Sequence, residues 1–284
     1  MQRFTTSDGV SIAYDSVGSG PAVLCLHGFP QTRALWQEVA KGMSRDFTII
    51  MPDLRGYGAS SKPEGTEKYT FRRMANDMAE LMQSLAHTTY GVVGHDRGGR
   101  VAYRLALDHA KRVRRLALLD IIPTDRLVES FDFPASKAYF HWSFLAQPAP
   151  LPERMIAADP DLFFEACLLG WGGAKTEEFR HLDAYRAAWR DADTIRGMVE
   201  DYRAAVTLDL EDDAADAGRV FEAPTLVLYG ESGVMGRLYD VPSEWAGRLS
   251  DMASDAVPGG HFFVDQSPEA TETRLVEFFR PMLK

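Results

Sequence analysis

The carboxylate of Asp96 has the sequence surroundings of a catalytic nucleophile. It lies in the stretch Gly-His-Asp-Arg-Gly-Gly-Arg at 94–100, which follows an apolar run and precedes a helical pattern. This is the setting of the G-x-S-x-G nucleophile elbow, with aspartate in the place of serine. Small residues permit the tight turn, and the positive end of the following helix keeps the carboxylate ionised. An ordinary helix-capping aspartate is the structural alternative, so other residues have to support the assignment.

An acid and a histidine follow Asp96 in the chain order that such a nucleophile requires. Asp120 comes directly after an apolar run, and His261 follows two glycines after the last predicted strand. Because the carboxyl ends of parallel strands meet at one edge of a sheet, the three side chains should lie together. Glu231 is an alternative for the acid, and we favour Asp120. Asp265, close to the histidine, is expected at the surface.

An aspartate nucleophile changes the reaction that a catalytic triad can perform. A carboxylate attacks an sp³ carbon without a base and forms an alkyl ester. His261 would then activate water to hydrolyse that ester, with Asp120 orienting the imidazole. The backbone N–H groups of Phe29 and Arg97 stand where proteins with such a nucleophile elbow provide an oxyanion hole. The pattern disfavours ordinary ester and amide hydrolysis.

Two arginines accompany the nucleophile. Arg97 and Arg100 share one face of the helix that opens at the elbow. Guanidinium groups bind carboxylates in bidentate fashion, so the pair indicates a substrate that carries its own carboxylate. Pairing with acids of a lid is the structural alternative, and the residues alone leave both open.

The elements that must position these residues alternate between strands and helices. Apolar runs predict strands at 11–15, 22–26, 47–51, 90–94, 113–119, 225–229 and 253–257. Periodic apolar residues predict helices at 34–43, 71–85, 100–109 and 269–279. This alternation is typical of an α/β fold with a doubly wound, mostly parallel sheet. Residues 124–219 read as a helical cap domain inserted into a core of 1–123 and 220–284, where it would act as a lid.

Composition and charge limit the classes of function. The 284 residues carry a formal net charge of -10, which argues against nucleic-acid binding and requires a local cationic site for any anionic substrate. Cys25 and Cys167 are expected to be reduced core thiols rather than a disulfide. No secretory signal and no membrane-spanning apolar run is visible. We therefore expect a cytoplasmic protein with no membrane partner, no metal and no organic cofactor.

The chain resembles the fluoroacetate dehalogenases, also called haloacetate dehalogenases, of the α/β-hydrolase superfamily over nearly its whole length. Two motifs mark the superfamily, His-Gly-Phe-Pro at 27–30 and Asp-Leu-Arg-Gly-Tyr-Gly-Ala-Ser at 53–60. The resemblance continues with the elbow at 94–100, Leu-Asp-Ile-Ile-Pro-Thr at 119–124, His-Trp at 141–142, Gly-Trp-Gly at 170–172, Glu-Asp-Tyr at 200–202 and Gly-Gly-His at 259–261. The Asp-Arg-x-x-Arg elbow and the His-Trp pair are the most specific of these.

This resemblance implies an α/β-hydrolase fold and hydrolysis of the carbon–halogen bond of a small anionic haloacid such as fluoroacetate. It implies the roles given above for the nucleophile, its two partners and the two arginines. It further implies that His141, Trp142 and Tyr202 bind the leaving halide through side-chain N–H and O–H groups. Trp171 would pack against the same pocket, and the protein would be a homodimer. Which halogen is preferred does not follow from the sequence.

Three other functions stay open. An epoxide hydrolase of the same fold also uses an aspartate nucleophile but protonates the epoxide with two lid tyrosines, for which Tyr139, Tyr185 and Tyr202 are candidates. A haloalkane dehalogenase acts on neutral substrates and would have no use for the two arginines. A non-catalytic receptor on this fold would be expected to lack part of the triad, which is complete here.

Overall fold

An eight-stranded sheet organises the computed structural model, which describes residues 1–284. Its strands are β1 (Gln2–Thr5), β2 (Ser11–Val17), β3 (Ala22–Leu26), β4 (Thr48–Pro52), β5 (Tyr90–His95), β6 (Val113–Leu119), β7 (Thr225–Gly230) and β8 (Met252–Val257). The spatial order is β1-β2-β4-β3-β5-β6-β7-β8. Strand β2 pairs antiparallel with both of its neighbours, β1 and β4, and all other pairs are parallel. The sequence prediction of a mostly parallel sheet is confirmed, and β1 is an edge strand that it did not include.

Helices cover the sheet and fill the connection between β6 and β7. The core helices are α1 (Gln37–Met43), α2 (Phe71–Ser84), α3 (Arg97–Asp108), α12 (Val234–Leu238), α13 (Val241–Glu244), α14 (Phe263–Gln266) and α15 (Pro268–Phe279). The connection contains α4 (Thr124–Glu129), α5 (Phe133–Ala138), α6 (Phe140–Leu145), α7 (Leu151–Ala158), α8 (Pro160–Ala166), α9 (Leu182–Trp189), α10 (Ala192–Ala205) and α11 (Leu208–Ala215). We call α4–α11 the cap helices.

Shorter helical turns complete the secondary structure. Short 3₁₀-helices lie at Arg33–Trp36, Thr66–Lys68, Thr176–Glu178 and Arg280–Leu283, and a π-helical turn lies at Cys167–Trp171. None of the helices has both the length and the apolar character needed to cross a bilayer. The division of the chain into two domains at 124 and 219 stays a prediction.

The central strands β3 and β5 are buried along their whole length because both of their faces are covered. Every residue of β3 and β5 is buried, as expected for parallel strands between two helical layers. One apolar cluster joins α2 and α3 to one face of the sheet, and a second joins α1 and α15 to the other. The carboxyl ends of β5, β6, β7 and β8 therefore meet at one rim of the sheet, which the cap helices approach.

Helix α3 begins earlier than its sequence pattern indicated. The apolar periodicity predicted a start at residue 100, whereas the helix starts at Arg97, directly after Asp96. The two glycines of its first turn have low helix propensity and contribute no apolar periodicity. Its first turn is packed against the sheet, and this contact sets the geometry of the elbow.

Candidate active site

The turn between β5 and α3 holds Asp96 in a conformation that few residues adopt. Asp96 has φ 49° and ψ −117°, in the positive-φ region that non-glycine residues seldom occupy. A Cβ at Gly98 would lie 2.4 Å from the carbonyl oxygen of His27, and one at Gly94 would lie 2.2 Å from that of Gly98. Glycine is therefore required at both positions, and the strain presents the Asp96 side chain at the rim of the sheet.

The two carboxylate oxygens of Asp96 have different surroundings. Oδ1 accepts a hydrogen bond from the backbone N–H of Phe29 at 2.9 Å. Oδ2 lies 3.9 Å from Nε2 of His261, too far for a hydrogen bond. Burial opposes ionisation, but His261, His95, Arg97 and Arg100 together lower the pKa of Asp96. The carboxylate is thus ionised at neutral pH, with one oxygen held and the other free.

Asp120 and His261 stand together beside this carboxylate. Nδ1 of His261 lies 2.6 Å from Oδ2 of Asp120, and the backbone N–H of Gly230 donates to Oδ1 of Asp120 at 2.9 Å. Asp120 also has a positive φ, 54°. Glu231, the alternative acid, is exposed, and the carboxylate that contacts the histidine is that of Asp120. Nε2 of His261 is buried without a hydrogen-bond partner, so it is free to accept a proton from water.

Arg97 forms a buried ion pair with a cap residue. Its Nε donates to Oδ2 of Asp201 at 2.9 Å, and its Nη2 donates to both the other carboxylate oxygen and the backbone carbonyl of Asp201. The hydroxyl of Tyr57 also donates to Asp201, at 2.6 Å. Nη1 of Arg97 is buried without a partner. The guanidinium is therefore held on one side and free on the other.

Arg100 has no carboxylate partner. Its Nη1 donates to the carbonyl oxygen of Ile122 at 3.0 Å and to Oγ1 of Thr124 at 2.8 Å, where the cap helices begin. Its Nε is buried without a partner. Burial, and next Arg97, lower the pKa of Arg100 from its ordinary value. The sequence left open whether the arginines bind a substrate carboxylate or pair with acids of a lid. Arg97 pairs with an acid of a cap helix and Arg100 does not, and both arginines keep a free N–H.

The three residues of the expected halide pocket lie together, two of them against Phe29 and the third against Tyr202. The ring centroids of His141 and Tyr202 lie 5.6 Å and 5.1 Å from that of Phe29, and Trp142 lies 5.2 Å from Tyr202. Nδ1 of His141 and Oη of Tyr202 are buried without partners. Burial lowers the pKa of His141 to about 3 and raises that of Tyr202 well above its usual value. A neutral imidazole and a phenol therefore face each other there.

The indole of Trp142 has a second contact that the sequence did not predict. Its ring lies 5.3 Å from Cζ of Arg97 and 4.9 Å from Cζ of Arg100. These are cation–π distances. Trp142 therefore joins the expected halide pocket to the arginine pair, although the two were predicted as separate features.

Trp171 lies between the pocket and the triad. Its ring stacks on His141 at 4.5 Å and lies 4.8 Å from the ring of His261. Tyr139, whose hydroxyl is buried without a partner, contacts the rings of both Trp171 and His141 at 5.3 Å and 5.9 Å. Tyr185, the remaining candidate for epoxide protonation, instead donates to Asp265 at 3.1 Å.

Two acidic residues have positions that sequence reasoning missed. The expectation that Asp265 lies at the surface is wrong: it accepts hydrogen bonds from Gln31 and Tyr185, and burial raises its pKa to about 8. Asp201 was quoted only within Glu-Asp-Tyr at 200–202, yet its side chain is fully buried against Arg97. The helical spacing of apolar residues along α10 is the signal that could have found Asp201, because it places Asp201 three residues after Met198 on the apolar face, where a charged residue needs a partner.

Proteins of known name share the sequence and fold of this chain over most of its length. The family model of the α/β hydrolase fold matches residues 21–268. The chain is 49% identical to the fluoroacetate dehalogenase of Burkholderia sp. over 92% of its length and 88% of the relative. It is 29% identical to the soluble epoxide hydrolase of Corynebacterium sp. strain C12 over 97% of its length and 96% of that protein. A solved structure from Nostoc sp. PCC 7120, described as an α/β hydrolase, has a TM-score of 0.95 and 41% identity, covering 98% of this chain and 97% of its own.

Proposed function

The chain belongs to the fluoroacetate dehalogenase family of the α/β hydrolases and is a hydrolase acting on carbon–halide bonds, and from this premise we propose how its residues cleave a small haloacid such as fluoroacetate. The observation that carries the proposal is the pair of free N–H groups, Nη1 of Arg97 and Nε of Arg100, buried beside the ionised Asp96. A carboxylate is the ligand that two convergent guanidinium groups bind best.

In the first step Asp96 displaces the halide. Oδ1 is held by the amide of Phe29, so Oδ2 is the oxygen free to attack the carbon that bears the halogen. A bond forms between Oδ2 and this carbon while the carbon–halogen bond breaks, and the electron pair leaves with the halide. The product of this step is an ester of Asp96 with the hydroxyacid skeleton.

Fluoride is a poor leaving group, and the cap supplies donors where its charge develops. His141 and Tyr202 each keep a hydrogen-bond donor at neutral pH, because a neutral imidazole retains one N–H and a phenol with a raised pKa retains its O–H. With the indole of Trp142, they would stabilise the departing anion in a pocket closed to water. Burial of all three side chains makes these hydrogen bonds stronger than they would be in water.

In the second step water hydrolyses the ester. Nε2 of His261 takes a proton from water as the water oxygen attacks Cγ of Asp96, and Asp120 stabilises the imidazolium. Negative charge develops on Oδ1, which already accepts from the Phe29 amide, and the amide of Arg97 is the second donor of the oxyanion hole. As the intermediate collapses, the imidazolium of His261 protonates the leaving alkoxide oxygen, the hydroxyacid is released, and the Asp96 carboxyl loses the remaining proton to solvent. The sum is substrate plus water giving hydroxyacid, halide and one proton.

Epoxide hydrolysis is the second candidate, and one observation favours it. The hydroxyls of Tyr139 and Tyr202 are both buried without partners, and both rings contact His141. Two such phenols could protonate an epoxide oxygen while Asp96 opens the ring. The free N–H groups of the two arginines have no role with a neutral epoxide, and for this reason we place haloacid hydrolysis first.

Parallel assays with fluoroacetate, chloroacetate and styrene oxide test this assignment. We expect fluoride release from fluoroacetate and little diol from the epoxide. Chloride release without fluoride would retain the Asp96 mechanism but reject the halide-pocket roles of His141, Trp142 and Tyr202. Diol without halide would instead support the epoxide hydrolase and turn attention to Tyr139 and Tyr202.

The His261→Ala variant separates the two steps. It should complete the first step and stop, because no base activates water, so the protein should gain the mass of the esterified acid after incubation with fluoroacetate. The Asp96→Asn variant is the matched control and should gain no mass. A His261→Ala protein that turns over at the wild-type rate would contradict the mechanism.

A further inference from the structure

A surface groove lies where the cap helices meet the core beside Trp171. It is bounded by α5, α6, α8 and the π-helical turn on the cap side and by α12 on the core side, with a volume of about 400 Å³. The side chains that matter here are Lys137, Phe140, Trp171, Val234 and Arg237. Helix α12 follows β7 closely, and β7 ends at Gly230, whose N–H donates to Asp120. The groove therefore adjoins the triad on its core side.

The charge of this groove is opposite to that of the molecule. Its lining contains two cationic side chains, Lys137 and Arg237, and no acidic one, although the chain has 41 acidic residues and a net charge of -10. Both cations are exposed, and neither has a carboxylate oxygen within 4.0 Å. The cavity lined by Asp125, Glu129 and Arg219, by contrast, mixes the two signs.

Trp171 is the wall that the groove shares with the active site. Its indole lines the groove, is partly exposed and also contacts the rings of His141 and His261. Gly170, which lines the groove as well, has no atom within 4 Å of the position a Cβ would take, so nothing packs over this side of the turn. One residue thus separates solvent in the groove from both the halide pocket and the general base.

We propose that the anionic substrate enters from this groove when the Trp171 side chain swings aside, and that Lys137 and Arg237 form an encounter site for its carboxylate. This inference rests on the haloacid function proposed above. An anion approaching a protein of net charge -10 is repelled at long range, and two uncompensated cations beside the entrance reverse the sign of the local potential. They act on the rate of association more than on final affinity, because the carboxylate passes on to Arg97 and Arg100.

The test compares two charge reversals of equal size. The Lys137→Glu/Arg237→Glu variant reverses the groove. The Lys111→Glu/Arg114→Glu control reverses one exposed lysine and one exposed arginine next to the amino end of β6, at the opposite rim of the sheet. Both variants change the net charge by the same amount, so any difference between them reports the location of the charge. Each is made in an Asp96→Asn background, where the ligand binds without reacting.

Stopped-flow tryptophan fluorescence with chloroacetate gives the association rate constant, and chloroacetamide is the neutral comparison. We expect the groove variant to associate roughly 10-fold more slowly than the control at low ionic strength, with the difference vanishing at about 0.5 M salt. Chloroacetamide should not distinguish the two. Equal chloroacetate rates for both variants would overturn the proposal, as would a parent protein that binds no chloroacetate. If the Asp96→Asn parent binds chloroacetate at a salt-dependent rate but the native enzyme releases no halide, only the proposed reaction is rejected.

Discussion

At the scale of single residues, the two arginines beside the nucleophile are not equivalent. Arg97 is neutralised by Asp201 through a buried bidentate contact, whereas Arg100 is bound only to neutral oxygens of Ile122 and Thr124. Under the proposed function, the net positive charge offered to the substrate carboxylate therefore comes from Arg100, and Arg97 contributes an oriented N–H. Asp201 acts through Arg97 and is in this sense a positioning residue.

The Asp201→Asn variant tests this division of roles. The amide can accept only one of the hydrogen bonds from Arg97, and the loss of a charged hydrogen bond costs about 1.5–3 kcal/mol. We expect KM for the haloacid to rise roughly 10- to 100-fold with a smaller change in kcat, because the clamp loses its orientation while Asp96 and His261 keep theirs. Steady-state kinetics measures the effect.

Asp193→Asn is the matched control on the same helix, since Asp193 pairs with Arg196 at the exposed surface. It should leave KM unchanged. A thermal unfolding scan of both variants reports any general loss of stability. A fall in kcat as large as the rise in KM in Asp201→Asn would contradict a positioning role. A KM equal to that of the control variant would contradict it as well.

The role of a residue could be predicted from the sequence only where the residues that act together are also close together in the chain. The elbow and the arginine pair were visible because a few neighbouring residues define them. The partner of Arg97 was not, because Asp201 lies 104 residues away and its contact depends on how α10 packs. Likewise, His141 and Tyr202 lie on α6 and α10, and only the family resemblance connected them.

At the scale of elements, a buried carboxyl joins the cap to the core. Asp209 on α11 accepts a hydrogen bond from the backbone N–H of Phe71, at the start of α2, at 2.8 Å. Its other oxygen is buried without a partner. Burial raises the pKa of Asp209 to about 8, so this contact is made by a neutral acid below that pH.

This raised pKa predicts a dependence of stability on pH. The unfolded chain releases the Asp209 proton near pH 4, whereas the folded chain keeps it to about pH 8. The folded state therefore binds more protons between these values, and the free energy of unfolding should fall as pH rises from about 4 to 8. In Asp209→Asn the amide oxygen can still accept from Phe71, so the fall should be smaller and the variant more stable than wild type at pH 8. Urea unfolding at several pH values measures this.

Glu211→Gln on the same helix is the control, because the side chain of Glu211 is exposed to solvent. It should follow the wild-type pH profile. An Asp209→Asn profile with the same decline as wild type would show that Asp209 does not keep its proton in the folded protein.

The regular elements followed from the sequence more closely than their junctions did. A continuous apolar run predicted β3 with the bounds that the structure has, because a strand buried on both faces leaves no polar positions. Strand β6 also has its predicted bounds, although Arg114 and Arg115 precede its apolar residues. The start of α3 was missed because tertiary contacts of Gly98, rather than propensity, hold its first turn. The contacts of α10 and α11 with the core were not predictable, since they join distant segments.

At the scale of the whole molecule, an acidic protein has concentrated positive charge around one site. Arg97 and Arg100 lie within the site, and Lys137 and Arg237 line the groove outside it. The sequence predicted the need for a local cationic site from the net charge, and the fold class from the alternation of strands and helices. It could not predict the groove, because α5 and α12 are about 100 residues apart and meet only in the folded chain.

The central claim is that Asp96 forms a covalent ester with the substrate, and a single turnover in H₂¹⁸O tests it most directly. With enzyme in excess over fluoroacetate, the ester mechanism takes the new hydroxyl oxygen of the product from Asp96, so the first product is unlabelled and ¹⁸O enters the Asp96 carboxylate. Mass spectrometry of the released hydroxyacid and of the peptide containing Asp96 gives both quantities. A labelled product together with an unlabelled peptide would mean that water attacks the substrate directly, and it would contradict this account.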